Sequence, residues 1–178
     1  MNKLQLVQLD QIADVRRGTV ITGRTAGEGT VPVIAGGLSP AYFTNLPNRP
    51  AGTITISGSG ANAGFVNRWS TEIWASDCTT VITLDPENWI QEYIYYFLKS
   101  QQGYIMKELR QGAAQPHVYP KDIKMLQIPD LDKLSQQKLV KKLSLVFKEI
   151  DAIELNIEKE AQSVAQLRQS VLLDAFRV

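Results

Sequence analysis

The order of apolar and polar positions changes character near Pro129. Before it, short β-rich runs alternate with turn residues. The clearest are residues 53–56 (Thr-Ile-Thr-Ile) and 79–84 (Thr-Thr-Val-Ile-Thr-Leu), with shorter apolar runs at Val31–Ile34 and 64–66. Gly36-Gly37 and Asn45-Leu46-Pro47-Asn48 separate them as turns. A first helix is expected over residues 8–16, closed by Gly18. A second is expected over residues 89–111, opened by Asp85-Pro86-Glu87 and closed by Gly112.

From Lys133 to Arg177 there is neither glycine nor proline. Apolar residues recur at Leu139, Leu143, Val146, Ile150, Ile153, Ile157, Val164, Leu167 and Val171, in alternating steps of four and three. Glu160 is the one polar interruption of this heptad stripe. The pattern predicts one helix of roughly 65 Å at about 1.5 Å per residue. That is longer than a globule built from the preceding residues is wide, so the stripe calls for a partner. The fold class is therefore α+β: a β-rich globule over residues 1–130, then a long coiled-coil-forming helix over 131–178.

Composition narrows the reading further. The chain has 178 residues, 44% hydrophobic and 21% charged, enough for a real core. The N-terminus has acidic residues where a signal peptide needs an apolar stretch, and no apolar run is long enough to span a membrane. A lone cysteine, Cys78, cannot form an internal disulfide, so a cytoplasmic protein is expected. The net charge is +1, with residues 1–130 neutral overall. A nucleic-acid binder with this balance must gather its positive charge on one face or borrow it from a partner.

Several segments, taken in order, carry a resemblance. They are residues 9–18 (Leu-Asp-Gln-Ile-Ala-Asp-Val-Arg-Arg-Gly), the run Val31–Ile34, and residues 56–60 with Gly64 and 75–78 (Ala-Ser-Asp-Cys). Residues 112–118 (Gly-Ala-Ala-Gln-Pro-His-Val), Asp122-Ile123, 126–129 (Leu-Gln-Ile-Pro) and 134–137 (Leu-Ser-Gln-Gln) complete the set. This arrangement resembles the specificity subunits of type I restriction–modification systems, across nearly the whole chain. Such subunits usually hold two recognition domains and two spacer helices, so the chain resembles a half-subunit. The resemblance implies double-stranded DNA as ligand, a modification methyltransferase subunit and a restriction motor subunit as partners, and a homodimer through antiparallel helices. It implies no cofactor or metal in this chain; S-adenosylmethionine and ATP belong to the partner subunits.

On that reading the loop 57–64 is the first candidate for base contact, with Ser57, Ser59, Asn62, Asn67 and Arg68 offering hydrogen-bonding groups around a glycine-rich turn. Asn suits adenine and Arg suits guanine in the major groove. A plain hairpin loop that needs glycine for its turns explains the same residues. Arg16, Arg17 and Arg24 flank a second glycine-rich stretch, suited to phosphates or to simple surface exposure. Lys107, Arg110, Gln115, His117, Tyr119 and Lys121 form a third polar and aromatic neighbourhood. Trp69, Trp74, Trp89, Tyr93, Tyr95, Tyr96 and Phe97 are expected in packing roles.

Two rival functions remain at this level. Cys78 with His117 could form the thiol–imidazole pair of a small hydrolase. Against it, Cys78 opens an apolar β run, where a lone cysteine behaves as a small hydrophobe. The other rival is a coiled-coil adaptor whose globule binds protein. No glycine-rich cofactor loop and no adenine-methyltransferase signature is present, so the chain is read as non-catalytic.

Overall fold

The computed structural model describes residues 5–112 and 114–177. Ala113, within the segment 112–118, lies outside the described residues. The chain divides into two compact units, Met1–Gln137 and Lys138–Val178.

The first unit begins with β1 (Leu6–Gln8), which pairs antiparallel with β9 (Gln127–Pro129) in a two-stranded ribbon. Between them, a single helical turn, α1 (Leu9–Ile12), leads directly into β2 (Ala13–Arg17). The expected helix over residues 8–16 is thus only one turn long. Leu9 and Ile12 are buried at helical spacing, but from Ala13 the pattern alternates, with Ala13 and Val15 buried and Arg16 exposed. That period-two stretch pairs antiparallel with β8 (Cys78–Thr83), and the ladder overrides helix propensity. Gly18 is therefore not a helix cap. A β-carbon there would lie 2.3 Å from the Ser76 carbonyl oxygen, so glycine permits a close backbone crossing.

A four-stranded antiparallel sheet runs in the order β2-β8-β5-β6, with β5 Ile54–Ser57 and β6 Val66–Arg68. A second sheet has the order β4-β3-β7, where β3 is Val31–Ile34, β4 Tyr42–Thr44 and β7 Trp74–Ala75. β3 and β7 are parallel, the others antiparallel. The short helix α2 (Gly23–Ala26) precedes this sheet. Only Ser76 and Asp77 separate β7 from β8, so these two residues carry the chain from one sheet into the other. Ile34, Ile73, Ala75 and Cys78 form a buried cluster there, with Trp69 packed against it.

The expected second helix is two helices, α3 (Gln91–Ser100) and α4 (Gln102–Glu108). Its start shifts because Asp85 caps a separate turn, accepting from Asn88 N at 3.2 Å. Its middle breaks where Ser100 Oγ donates back to the Phe97 carbonyl, competing with the helical ladder. Gln102 Oε1 then accepts from Val66 N on the edge strand β6, at 2.9 Å. Trp89 and Tyr93 are buried, as their packing role requires, and Tyr95 and Tyr96 lie partly covered. A five-residue helix, α5 (Pro120–Lys124), follows with its proline in the first turn.

The last helix, α6 (Lys133–Ala175), runs unbroken for 43 residues. Asp132 caps it, accepting from Ser135 N at 2.9 Å. Gln136 in its first turn is wholly buried and ties the helix start to the globule. Its Oε1 accepts from Ile90 N at 2.9 Å, while Nε2 donates to the carbonyls of Asn88 (2.9 Å) and Leu131 (2.8 Å). In the second unit the stripe residues other than half-buried Leu143 stand exposed along their own helix, from Leu139 at 37% to Leu167 at 64%. No described helix is long and apolar enough to cross a membrane.

Candidate nucleic-acid interface

One end of the four-stranded sheet gathers chemistry from four parts of the chain. Arg17 ends β2 opposite Thr79, and Ser57 ends β5 opposite Cys78. Asp77 immediately precedes β8, and residues 115–118 close over the same end. The closure is made by backbone: Val118 N donates to Gly58 O and Gly60 N to Pro116 O, both at 3.0 Å. His117 also bridges to Ser59 and Gln111.

Asp77 is the hub. Arg17 Nη2 donates to its Oδ1 at 2.9 Å, and Ser59 Oγ donates to Oδ2. Burial pushes the carboxyl up, but the Ser59 hydroxyl, Arg17 and His117 together hold it below the usual carboxylate range. A depressed carboxyl stabilises the fold above its ordinary range, and that contribution is lost as pH falls through it. The Arg17–Asp77 link is therefore intact at neutral pH. Gly58 keeps the hub compact, since a β-carbon there would sit 3.1 Å from Asp77 Oδ1. Beyond the hub, His117 stacks on Tyr119 with centroids 6.1 Å apart, and Lys121 Nζ lies 5.7 Å from the Tyr119 ring.

This end presents an arginine held by a carboxylate, an imidazole, a phenol and a lysine within one small area. The crevice lined by Arg17, Gly58, Cys78, His117 and Tyr119 holds only about 10 Å³, room for a water and not for a small-molecule substrate. Such a surface suits an extended polyanion better than an enclosed ligand.

The other predicted contact residues are dispersed. Ser57 is buried in the sheet and cannot serve as a surface contact, so that expectation is corrected. Ser59 faces inward to Asp77. Arg68 pairs with Ile54, at the opposite end of β5 from Ser57, and its guanidinium is bound by Glu92 of α3. Arg110, expected with His117 and Lys121 in the third neighbourhood, is folded onto the 57–64 loop, donating to Gly60 O at 3.3 Å and Ala61 O at 3.1 Å. Asn67 accepts from Arg68 N, and Asn62 is partly covered in the turn after Gly60. Arg16 pairs with Asp14 on the strand face opposite Arg17. Arg24 is exposed on α2, Lys107 is exposed beside Glu108, and Gln115 is exposed in the turn before His117. The sequence shows Asp77 only as one residue of the segment 75–78, with no role of its own. Its role depends on partners 60 and 18 residues away in the chain, which no local pattern reveals.

Cys78 is 1% exposed. Burial first, then the neighbouring Asp77, pushes its thiol up to about 12. At neutral pH it is a protonated, shielded group, the opposite of an activated nucleophile. Cys78→Ser is expected to leave DNA affinity within about twofold, because such a change costs packing and not chemistry. A DNA-binding loss without a matching loss of thermal stability would contradict this.

Residues 1–163 match the family model described as the type I restriction modification DNA specificity domain. No curated protein sequence matches the chain. Among solved structures, it is similar to the S subunit of a type I restriction–modification system from M. genitalium, at 24% identity and TM-score 0.72, covering 85% of this chain and 41% of that one. A second, solved for complex assembly and conformational transition of the type I R-M system, matches at 16% identity and TM-score 0.77, over 99% and 46%. The HsdS subunit of Thermoanaerobacter tengcongensis matches at 18% identity and TM-score 0.63, over 83% and 38%. The chain thus spans less than half the length of each of these structures. The globule of three small sheets, the long helix after it and the family match over residues 1–163 lead to one conclusion: the chain belongs to the type I restriction modification DNA specificity domain family.

Proposed function

We propose that this chain recognises DNA sequence for a type I restriction–modification system and performs no chemistry itself. The globule reads one half of a bipartite target. The helix α6 spaces two such globules and docks a modification methyltransferase subunit, which brings S-adenosylmethionine; a restriction motor subunit brings ATP. Two copies joined through antiparallel helices complete the recognition unit, which works in the cytoplasm. The observation that carries the reading is the match of 99% of this chain to 46% of a type I chain, one globule and one helix against a body about twice as long. A two-fold pair reads inverted half-sites, so the target is a palindrome interrupted by unread base pairs.

The test is selection from random duplexes by the protein with its modification subunit. An interrupted palindrome is expected; recovery of no motif would overturn the reading. Within the recovered complex, Arg17→Ala and Lys121→Ala are each expected to flatten the log–log salt dependence of binding by about one unit if the side chain meets a phosphate. A slope unchanged in both variants would move the DNA surface away from this end of the sheet.

A further inference from the structure

The seam of α6 contains one residue that does not belong in an apolar core. Set in heptads, Leu143, Ile150, Ile157, Val164 and Val171 occupy one core position, and Leu139, Val146, Ile153 and Leu167 the other. Glu160 falls in the second set. A carboxylate in such a seam must find a cation or keep the helices apart. Within its own chain neither Glu160 nor Lys142 has an ion pair among the described residues.

The arrangement of two helices decides what Glu160 meets. In a parallel pair in register, Glu160 faces Glu160 of the partner copy, and Glu149 lies beside the partner's Glu154; both contacts repel. An antiparallel pair instead sets each first-set residue opposite a second-set residue, which leaves three registers about the middle of the stripe. With Val146 opposite the partner's Ile150, Glu160 faces the partner's Gln136, which is already buried and hydrogen-bonded inside its own globule. With Ile153 opposite the partner's Ile157, Glu160 enters a hole that includes the partner's Glu149, and Glu154 of the two copies meet. With Ile150 opposite the partner's Ile153, the hole consists of the partner's Leu139, Lys142, Leu143 and Val146, and no two carboxylates meet across the seam.

We propose that two copies of α6 pair antiparallel in this last register, with Glu160 of each bound by Lys142 of the other. The inference rests on the homodimer proposed above and adds what fixes its register. One polar interruption then serves as a latch: it costs seam stability, but it meets a carboxylate in one neighbouring register and no cation in the other, the use to which buried polar residues in coiled coils are best suited.

Disulfide trapping distinguishes the registers. Three variants of the full chain are oxidised: Ile150→Cys/Ile153→Cys, Ile153→Cys/Ile157→Cys and Val146→Cys/Ile150→Cys. The native Cys78 stays silent because it is buried. Covalent dimer is expected in the first variant alone; its appearance in either of the others instead overturns the register. Glu160→Lys and Lys142→Glu should each weaken dimerisation by about tenfold or more, and together restore it to within about threefold. Failure of that rescue overturns the pairing. Glu160→Leu should keep the dimer but admit trapping in the second variant's register; trapping confined to the first would mean that Glu160 does not select it. A parent chain that sediments as a monomer overturns the homodimer itself, whereas a dimer trapped in another register overturns only this inference.

Discussion

Ile150→Asp combined with Ile157→Asp is expected to convert a sedimenting dimer into a monomer. The two isoleucines are 40% and 60% exposed within their own chain, so the double change leaves the buried core of the globule untouched. In a pair, four aspartates enter an apolar seam. Each must be desolvated or must pry the helices apart, and the summed penalty exceeds about 4 kcal/mol, or roughly a thousandfold in dissociation constant. The second consequence is larger for function. A monomer grips one half-site, and the loss of linked binding lowers DNA affinity by about 10²- to 10⁴-fold without touching a DNA-facing residue. Globule melting should be unchanged, which separates the effect from misfolding. A persistent dimer would show that the stripe is covered by something other than a second copy.

Gln136→Met is expected to lower the stability of the globule by about 3–6 kcal/mol, and its melting temperature by about 10–20 °C. The side chains match in length, so little volume changes. What changes is satisfaction: one amide accepts from Ile90 N and donates to the carbonyls of Asn88 and Leu131 in a fully buried position. Methionine leaves all three without that partner, and each buried unsatisfied group costs about 1–3 kcal/mol. This is a large share of the roughly 5–15 kcal/mol that holds a domain together. Two of the three groups, Asn88 O and Ile90 N, lie on the chain before α3, and the third, Leu131 O, lies on the chain before α6. A shift below about 1 kcal/mol would mean that water replaces the amide.

The long helix was legible because its signal is local and repeated: no glycine, no proline and a sustained seven-residue rhythm over Lys133–Ala175. The run Val31–Ile34 was equally legible, its β-branched residues bounded by turns. The entry segment was not, because helical spacing at Leu9 and Ile12 overlaps alternation at Ala13 and Val15. Only the pairing of β2 with β8, more than 60 residues away, decides between them. The candidate site divides along the same line. Arg17, His117, Tyr119 and Lys121 could be nominated by residue type, and the fold brings them to one end of a sheet. Arg68 and Arg110 were nominated by the same logic, yet Glu92 and two loop carbonyls hold them. An arginine's destination depends on acceptors that sequence does not place beside it.

The ribbon of β1 and β9 has an evolutionary consequence. Leu6 lies opposite Pro129, Val7 opposite Ile128 and Gln8 opposite Gln127, while Asp130 N donates to Gln5 O at 2.9 Å. The chain therefore enters and leaves the globule through the same doorway. Everything between residues 9 and 126 hangs from that paired stem as a closed loop. Recombination that exchanges the intervening stretch needs to match this short stem and the backbone groups at Asn88 and Ile90 that hold Gln136. On the proposed function, an exchange bounded by one crossover in each stem strand gives the lineage a new address while α6 is inherited unchanged.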